Sequence, residues 1–214
     1  MHRINRLSTL YKFTGILYVK YLIMKIISTI ILIKTLIFAS LYTFAQSRPD
    51  IGYSVAIKNV TPEKMRYAKS VGIDCIETSL AEFIDRKNRT FLQSEEIIIR
   101  RLQEAKAAAD EAGINIWSIH MPFSAEIDLS LSNEAERTKV IALQRKVIEF
   151  CSILQPEIIL FHPSYFLGLN ERTFRKSQMI KSAKELNPAV KAINAMMVIE
   201  NMLGKTLLSE DGKR

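Results

Sequence analysis

Four short apolar runs in this 214-residue chain end in side chains that bind metals or move protons. G-I-D-C-I-E ends at Glu77, I-N-I-W-S-I-H at His120, E-I-I-L-F-H at His162 and M-M-V-I-E at Glu200. The intervals between these ends are 43, 42 and 38 residues, each enough for one strand, one helix and two loops. Singly, each residue has a structural use, since a strand-end histidine commonly makes a hydrogen bond and a glutamate commonly pairs with a lysine. Recurrence at four matched positions points to one shared site. Glu200 carries most of that argument, because a carboxylate closing a buried strand is costly unless it is paired or metal-bound. Two imidazoles and two carboxylates suit a divalent cation such as Zn²⁺, Mn²⁺ or Mg²⁺.

The elements that must position these groups follow from periodicity. Strands are expected at Ile51–Ile57, Ile73–Glu77, Ile114–His120, Ile158–His162 and Ala195–Glu200. Between them lie helices: one opened by Thr61-Pro62-Glu63, with proline at the first helical position, then Ser94–Ala112, Asn133–Ile153 and Glu171–Leu186. Gly113 is a C-terminal stop signal for the second. Strands alternating with helices of this length predict βαβ units and a parallel sheet, whose strands are buried on both faces. In such sheets the carboxyl ends of the strands form the ligand-binding face. If His162 points into a barrel, Leu160 and Ile158 do too, while Ile159 and Phe161 face helices. Pro122 and Pro163 end the pairing just beyond the two histidines.

Charge excludes little until it is divided along the chain. The 30 Lys and Arg against 22 Asp and Glu give +8. Residues 1–45 hold six of the basic residues and no acidic one, which leaves +2 for the remainder. The clusters D-R-K-N-R (85–89) and R-T-F-R-K (172–176) are expected on solvated helix faces or loops. With no long basic stripe and no interleaved aromatics, a nucleic-acid partner is not expected.

Residues 1–45 read as an N-terminal extension and export signal. Met24 is the expected initiator, followed by a basic start, an apolar core and a small-x-Ala-like site at Thr43-Phe44-Ala45 before Gln46. Lys34 interrupts the apolar run, which favours a cleaved signal over a permanent membrane span. The expected location is therefore periplasmic or secreted. Cys75 and Cys151 read as buried free thiols rather than a disulfide, and the absence of Cys-x-x-Cys excludes a thiolate zinc site. No motif specifies an oligomeric state.

The ordered series I-G-Y-S, I-E-T-S, H-M-P-F-S (120–124), F-H-P-S (161–164) and V-I-E-N-M (198–202) resembles the xylose isomerase-like TIM-barrel superfamily. That superfamily includes sugar phosphate isomerases and epimerases and the endonuclease IV-like enzymes. The resemblance implies a parallel (β/α) TIM-barrel type fold over residues 46–214, with about five βα units present. It implies Glu200 as a divalent-metal ligand that also moves a proton beside a sugar carbonyl. His120 and His162 would be metal ligands, His120 also a substrate contact, and Glu77 and Asn201 supporting or substrate-hydroxyl partners. The implied ligand is a small sugar or sugar phosphate. A full eight-unit barrel takes about 250 residues and only 169 follow the expected cleavage site, so the chain is expected to be a truncated and, alone, inactive form. The alternatives are a metal-dependent phosphodiester hydrolase of the endonuclease IV kind and a non-catalytic half-barrel that binds a sugar or a partner chain.

Overall fold

The structure, a computed structural model, describes residues 20–36, 49–164 and 172–201. The chain divides into two units, Met1–Pro49 and Asp50–Arg214. Of the first, residues 20–36 form a helix (α1) with exposed side chains, which includes the expected initiator Met24. The expected cleavage site at residues 43–46 lies outside the described residues. No described helix is long and apolar enough to cross a membrane.

The second unit alternates strands and helices as the periodicity requires. In order it contains β1 (Gly52–Ser54), α2 (Pro62–Ser70), β2 (Cys75–Thr78), β3 (Ile84–Asp85), β4 (Thr90–Phe91), α3 (Glu95–Ala112), β5 (Asn115–His120), α4 (Glu134–Cys151), β6 (Ile158–Phe161), α5 (Arg172–Ala192) and β7 (Met196–Ile199). Thr61 caps α2, accepting from the Lys64 amide at 3.4 Å, with Pro62 at the first helical position. Asn133 caps α4 by accepting from the Glu136 amide at 3.1 Å. Gly113 ends α3 in the left-handed region, at φ 68°.

Five strands form one sheet in the order β1-β2-β5-β6-β7, and every pairing is parallel. Sequential order without reversal is the winding of a TIM-type barrel, in which consecutive units advance in one direction around the sheet. The helices follow suit: α2 packs on α3, α3 on α4 and α4 on α5. Between them and the sheet lies one core that includes Ile76, Ile116, Ile119, Ile159, Phe161, Met65, Ile98, Leu102, Val147 and Val190. On β6, Ile159 and Phe161 are buried in this core while Ile158 and Leu160 are only half-buried, the expected alternation. β1 and β7 are the sheet edges among the described residues.

Four local departures have physical causes. The first strand stops at Ser54 because Ile57–Asn59 wind into a 3-10 turn that buries Ile57. A small antiparallel hairpin, β3–β4, falls between β2 and α3, where D-R-K-N-R supplies its turn. Asp85 folds that turn by accepting from the Asn88 amide at 3.0 Å and its side-chain amide at 2.7 Å. α5 continues past Leu186 through Pro188 to Ala192. An interior proline costs about 3 kcal/mol, but Leu186 and Val190 on either side of it are fully buried. Finally, both cysteines are free, but only Cys151 is fully buried; Cys75 is half-buried.

Candidate metal centre

Each candidate side chain reaches the site through its strand. Glu77 lies in β2, His120 ends β5, and His162 and Glu200 follow directly on β6 and β7. Register alone would have set Glu77 beside Trp117, since Ile76 pairs with Ile116. Instead the ladder shifts by one residue, and Glu77 pairs with Ser118. Such a bulge re-aims the side chains that follow it. Its consequence here is that Ser118 and His120 both turn to Glu77. The Ser118 hydroxyl donates to Glu77 Oε2 at 3.0 Å, and His120 Nδ1 lies 3.2 Å from Glu77 Oε1. An ionised carboxylate only accepts, so Nδ1 is the nitrogen that presents hydrogen to Glu77, and in the neutral ring this arrangement leaves the lone pair on Nε2.

That Nε2 points at the other histidine. His120 Nε2 and His162 Nε2 approach to 2.5 Å. Glu200 Oε2 lies 3.5 Å from His162 Nε2 and 4.0 Å from His120 Nε2. One ligand atom from each of His120, His162 and Glu200 thus falls within 4.8 Å of the other two. The rings are held face to face: His162 stacks on His120 with centroids 4.6 Å apart and on Phe123 at 4.0 Å. Phe123 is carried by the turn after β5, which α4 secures through the buried amide of Gln144, donating to the Pro122 carbonyl at 2.9 Å. Burial pushes the His162 pKa below its ordinary value and the neighbouring His120 adds to this, while Glu200, Asp128 and Glu77 oppose it.

These features fit a divalent cation. Glu200 Oε2 is shielded from solvent and receives no hydrogen bond from any described residue, an arrangement that is costly for a carboxylate oxygen unless a cation meets it. His162 is biased to its neutral, ligating form. His120 has its far nitrogen fixed by a carboxylate, the pattern that orients metal-bound histidines. Two imidazole nitrogens and one carboxylate oxygen make a donor set at home with Zn²⁺, whereas Mg²⁺ favours all-oxygen shells.

The structure therefore gathers Glu77, His120, His162 and Glu200 within one cluster and leaves Asn201 exposed beside it, on the wall of a pocket it shares with Glu200. Sequence reasoning missed Ser118 and Phe123. Ser118 stands two residues before His120, the spacing that places a strand residue on the same face, and Phe123 lies within H-M-P-F-S.

The model of the xylose isomerase-like TIM barrel family matches residues 65–211. No curated protein sequence matches the chain. Among solved structures, the fold is similar to D-psicose 3-epimerase from Clostridium cellulolyticum H10 (TM-score 0.56, 16% identity, 73% of this chain and 55% of that one). It is also similar to a 3-keto-D-glucoside 4-epimerase from E. coli (0.50, 16%, 71% and 56%). A xylose isomerase domain protein from Planctomyces limnophilus gives 0.52, with 16% identity over 75% and 56%. The chain spans a little over half the length of each.

Proposed function

The chain belongs to the xylose isomerase-like TIM barrel family, and we propose that it serves a sugar isomerase or epimerase reaction at a divalent metal held by Glu200, His120 and His162. The observation that carries this reading is the convergence of those three ligand atoms within 4.8 Å at the carboxyl ends of adjacent strands. Sugar epimerases among the similar folds support the reaction class. When bound, the cation would polarise a sugar carbonyl and its neighbouring hydroxyl, acidifying the C–H between them. Glu200 would use its second oxygen, Oε1, to take that proton. Glu77 is a positioning group: both of its oxygens are engaged, by His120 and Ser118. Asn201, exposed beside Glu200, would meet a substrate hydroxyl. The expected export signal would put this activity in the periplasm or outside the cell.

Metal content by mass spectrometry, followed by zinc and manganese titration of the purified chain, tests the site. Deuterium exchange at the carbonyl-adjacent C–H of D-fructose or D-psicose tests the chemistry. Stoichiometric metal uptake that His162→Ala abolishes is the expected result; uptake indifferent to His120, His162 and Glu200 would refute the reading. A second reading rests on the nitrogen-rich donor set, which also suits metal-assisted hydrolysis of a phosphodiester. Hydrolysis of bis-p-nitrophenyl phosphate without C–H exchange would favour it.

A further inference from the structure

Beside Glu200 a cavity of about 210 Å³ opens between the end of β6 and α5, lined by Pro163, Ser164, Arg172, Lys176, Met179, Glu200 and Asn201. It is smaller than the roughly 300–1,000 Å³ of pockets that enclose a whole ligand, so it suits one substituent of a substrate rather than the entire molecule. Its two cations stand at i and i+4 on α5, one turn apart on one helix face. Neither Arg172 nor Lys176 forms an ion pair with a described residue. Further along the helix Lys181 is bound to Glu134 and Glu185 to Arg137, while Lys184 and Lys191 also form no ion pair with a described residue. What sets Arg172 and Lys176 apart from the other cations of this helix is their place together on the wall of the cavity beside Glu200.

The cavity is also rigidly framed. Ser164 is buried, and its hydroxyl meets Ser130 Oγ at 2.6 Å. The Ser130 amide donates to Asp128 Oδ1 at 2.6 Å, and the Ser130 carbonyl accepts from Arg175 Nη1 at 3.0 Å. Arg175 lies on α5 between the two exposed cations. One buried chain of hydrogen bonds therefore ties the β6 wall, through Ser164, to the helix that carries Arg172 and Lys176. A site whose walls are fixed in this way spends little of its binding free energy on ordering.

We infer that this cavity is a phosphate subsite, in which Arg172 and Lys176 grip the phosphate monoester of a phosphorylated sugar whose reacting carbons lie over Glu200. The inference rests on the metal-site reading only for that second clause. A phosphate monoester carries between one and two negative charges at neutral pH, with three acceptor oxygens, which matches two adjacent cations, one of them a planar donor fork. A neutral sugar would leave both cations without a use, and a carboxylate would answer only one.

Calorimetric titration at low ionic strength, with metal removed by EDTA, tests this with D-fructose 6-phosphate, D-fructose, inorganic phosphate and acetate. Low salt matters because both cations are exposed and would otherwise be screened. Fructose 6-phosphate and inorganic phosphate are expected to bind, with fructose and acetate far weaker. Arg172→Glu combined with Lys176→Glu should weaken the phosphate ligands by about tenfold or more, and Arg172→Lys should retain most of the affinity. Zinc titration of the charge-reversed protein checks that the fold and the metal centre persist. Equal binding of fructose and its 6-phosphate, binding unaffected by charge reversal, or acetate binding as well as phosphate would each overturn the inference. Zinc uptake without phosphate selectivity would sink the subsite and leave the metal reading standing. Phosphate binding through Arg172 and Lys176 in a chain that takes up no metal would do the reverse.

Discussion

Glu77 and His120, on neighbouring strands, meet at 3.2 Å through Oε1 and Nδ1, although their sequence positions would put Glu77 one residue out of step. The single-residue shift at Ile76/Glu77 brings them together, and with them the orientation of the ring. A carboxylate on Nδ1 fixes the tautomer and raises the basicity of Nε2, the nitrogen that faces His162 and Glu200. Glu77→Ala should therefore weaken zinc binding by about 10–100-fold without removing a ligand. Glu77→Gln, which still offers an acceptor oxygen, should recover part of the loss. A competitive chelator titration measures both, and equal zinc affinity in wild type and Glu77→Ala would show that the contact does not orient the ring.

Proton competition gives the second prediction. Burial and the adjacent His120 hold the His162 pKa below its ordinary value of about 6.5. The unfolded chain therefore takes up this proton first. The stability gained by keeping His162 neutral is fully present above pH about 6.5 and declines as the pH falls through the folded-state pKa. The same depression keeps the ring available as a ligand in mildly acidic solution. Urea unfolding of metal-free protein between pH 7.5 and 5, followed through the single tryptophan, should show stability falling with pH, and His162→Phe should reduce the slope. An unchanged slope in that variant would assign the effect to other groups.

What the sequence made legible was whatever depends on one strand at a time. Each polar strand end is visible because an apolar run stops at it, and the β6 alternation follows from parity alone. What stayed hidden depends on two elements at once. The bulge opposite Glu77 is a matter of register between β2 and β5, and nothing in I-N-I-W-S-I-H announces it. The run R-T-F-R-K reads as solvated charge until α5 is placed; then Arg175 is buried against Ser130 while Arg172 and Lys176 line a cavity. The α5 C-terminus was obscured for a related reason, since Pro188 is a local stop signal that the burial of Leu186 and Val190 overrides.

Arg137 tests the packing of α4 on α5. It is almost wholly buried, and its guanidinium donates to Glu134 at 2.6 and 3.0 Å, to Glu185 at 2.8 Å and to Ser182 at 3.0 Å. Ser182 passes the link on to the Leu129 carbonyl at 2.6 Å. Glu134, bonded to Arg137 and Lys181, is held far below the usual carboxylate range. Removing one partner of a buried pair costs about 3–5 kcal/mol, but the two carboxylates are partly in water, so Arg137→Ala should lose nearer 2–3 kcal/mol. Arg137→Lys should be almost as damaging, because an ammonium cannot bond three groups in one plane. Urea midpoints measure both, and a loss under about 0.5 kcal/mol, the range of ordinary surface changes, would show that the network contributes little.

Gly52 and Cys75 supply a test of the β1–β2 contact that is independent of the metal centre. They are register partners on adjacent parallel strands. A Cβ at position 52 would come within 2.7 Å of Cys75 Sγ and 3.1 Å of its carbonyl oxygen. The sulfur is the end of a side chain and can be removed; the carbonyl is backbone and can yield only by a few tenths of an ångström. Gly52→Ala should therefore destabilise by about 1–3 kcal/mol, the range for overpacking. Adding Cys75→Ala should return part of that loss but not all of it. A double-mutant cycle on urea midpoints isolates the coupling, which should be of the order of 0.5–3 kcal/mol and favourable. Strict additivity of the two changes would mean that the carbonyl contact alone, rather than the sulfur, forbids a side chain at position 52.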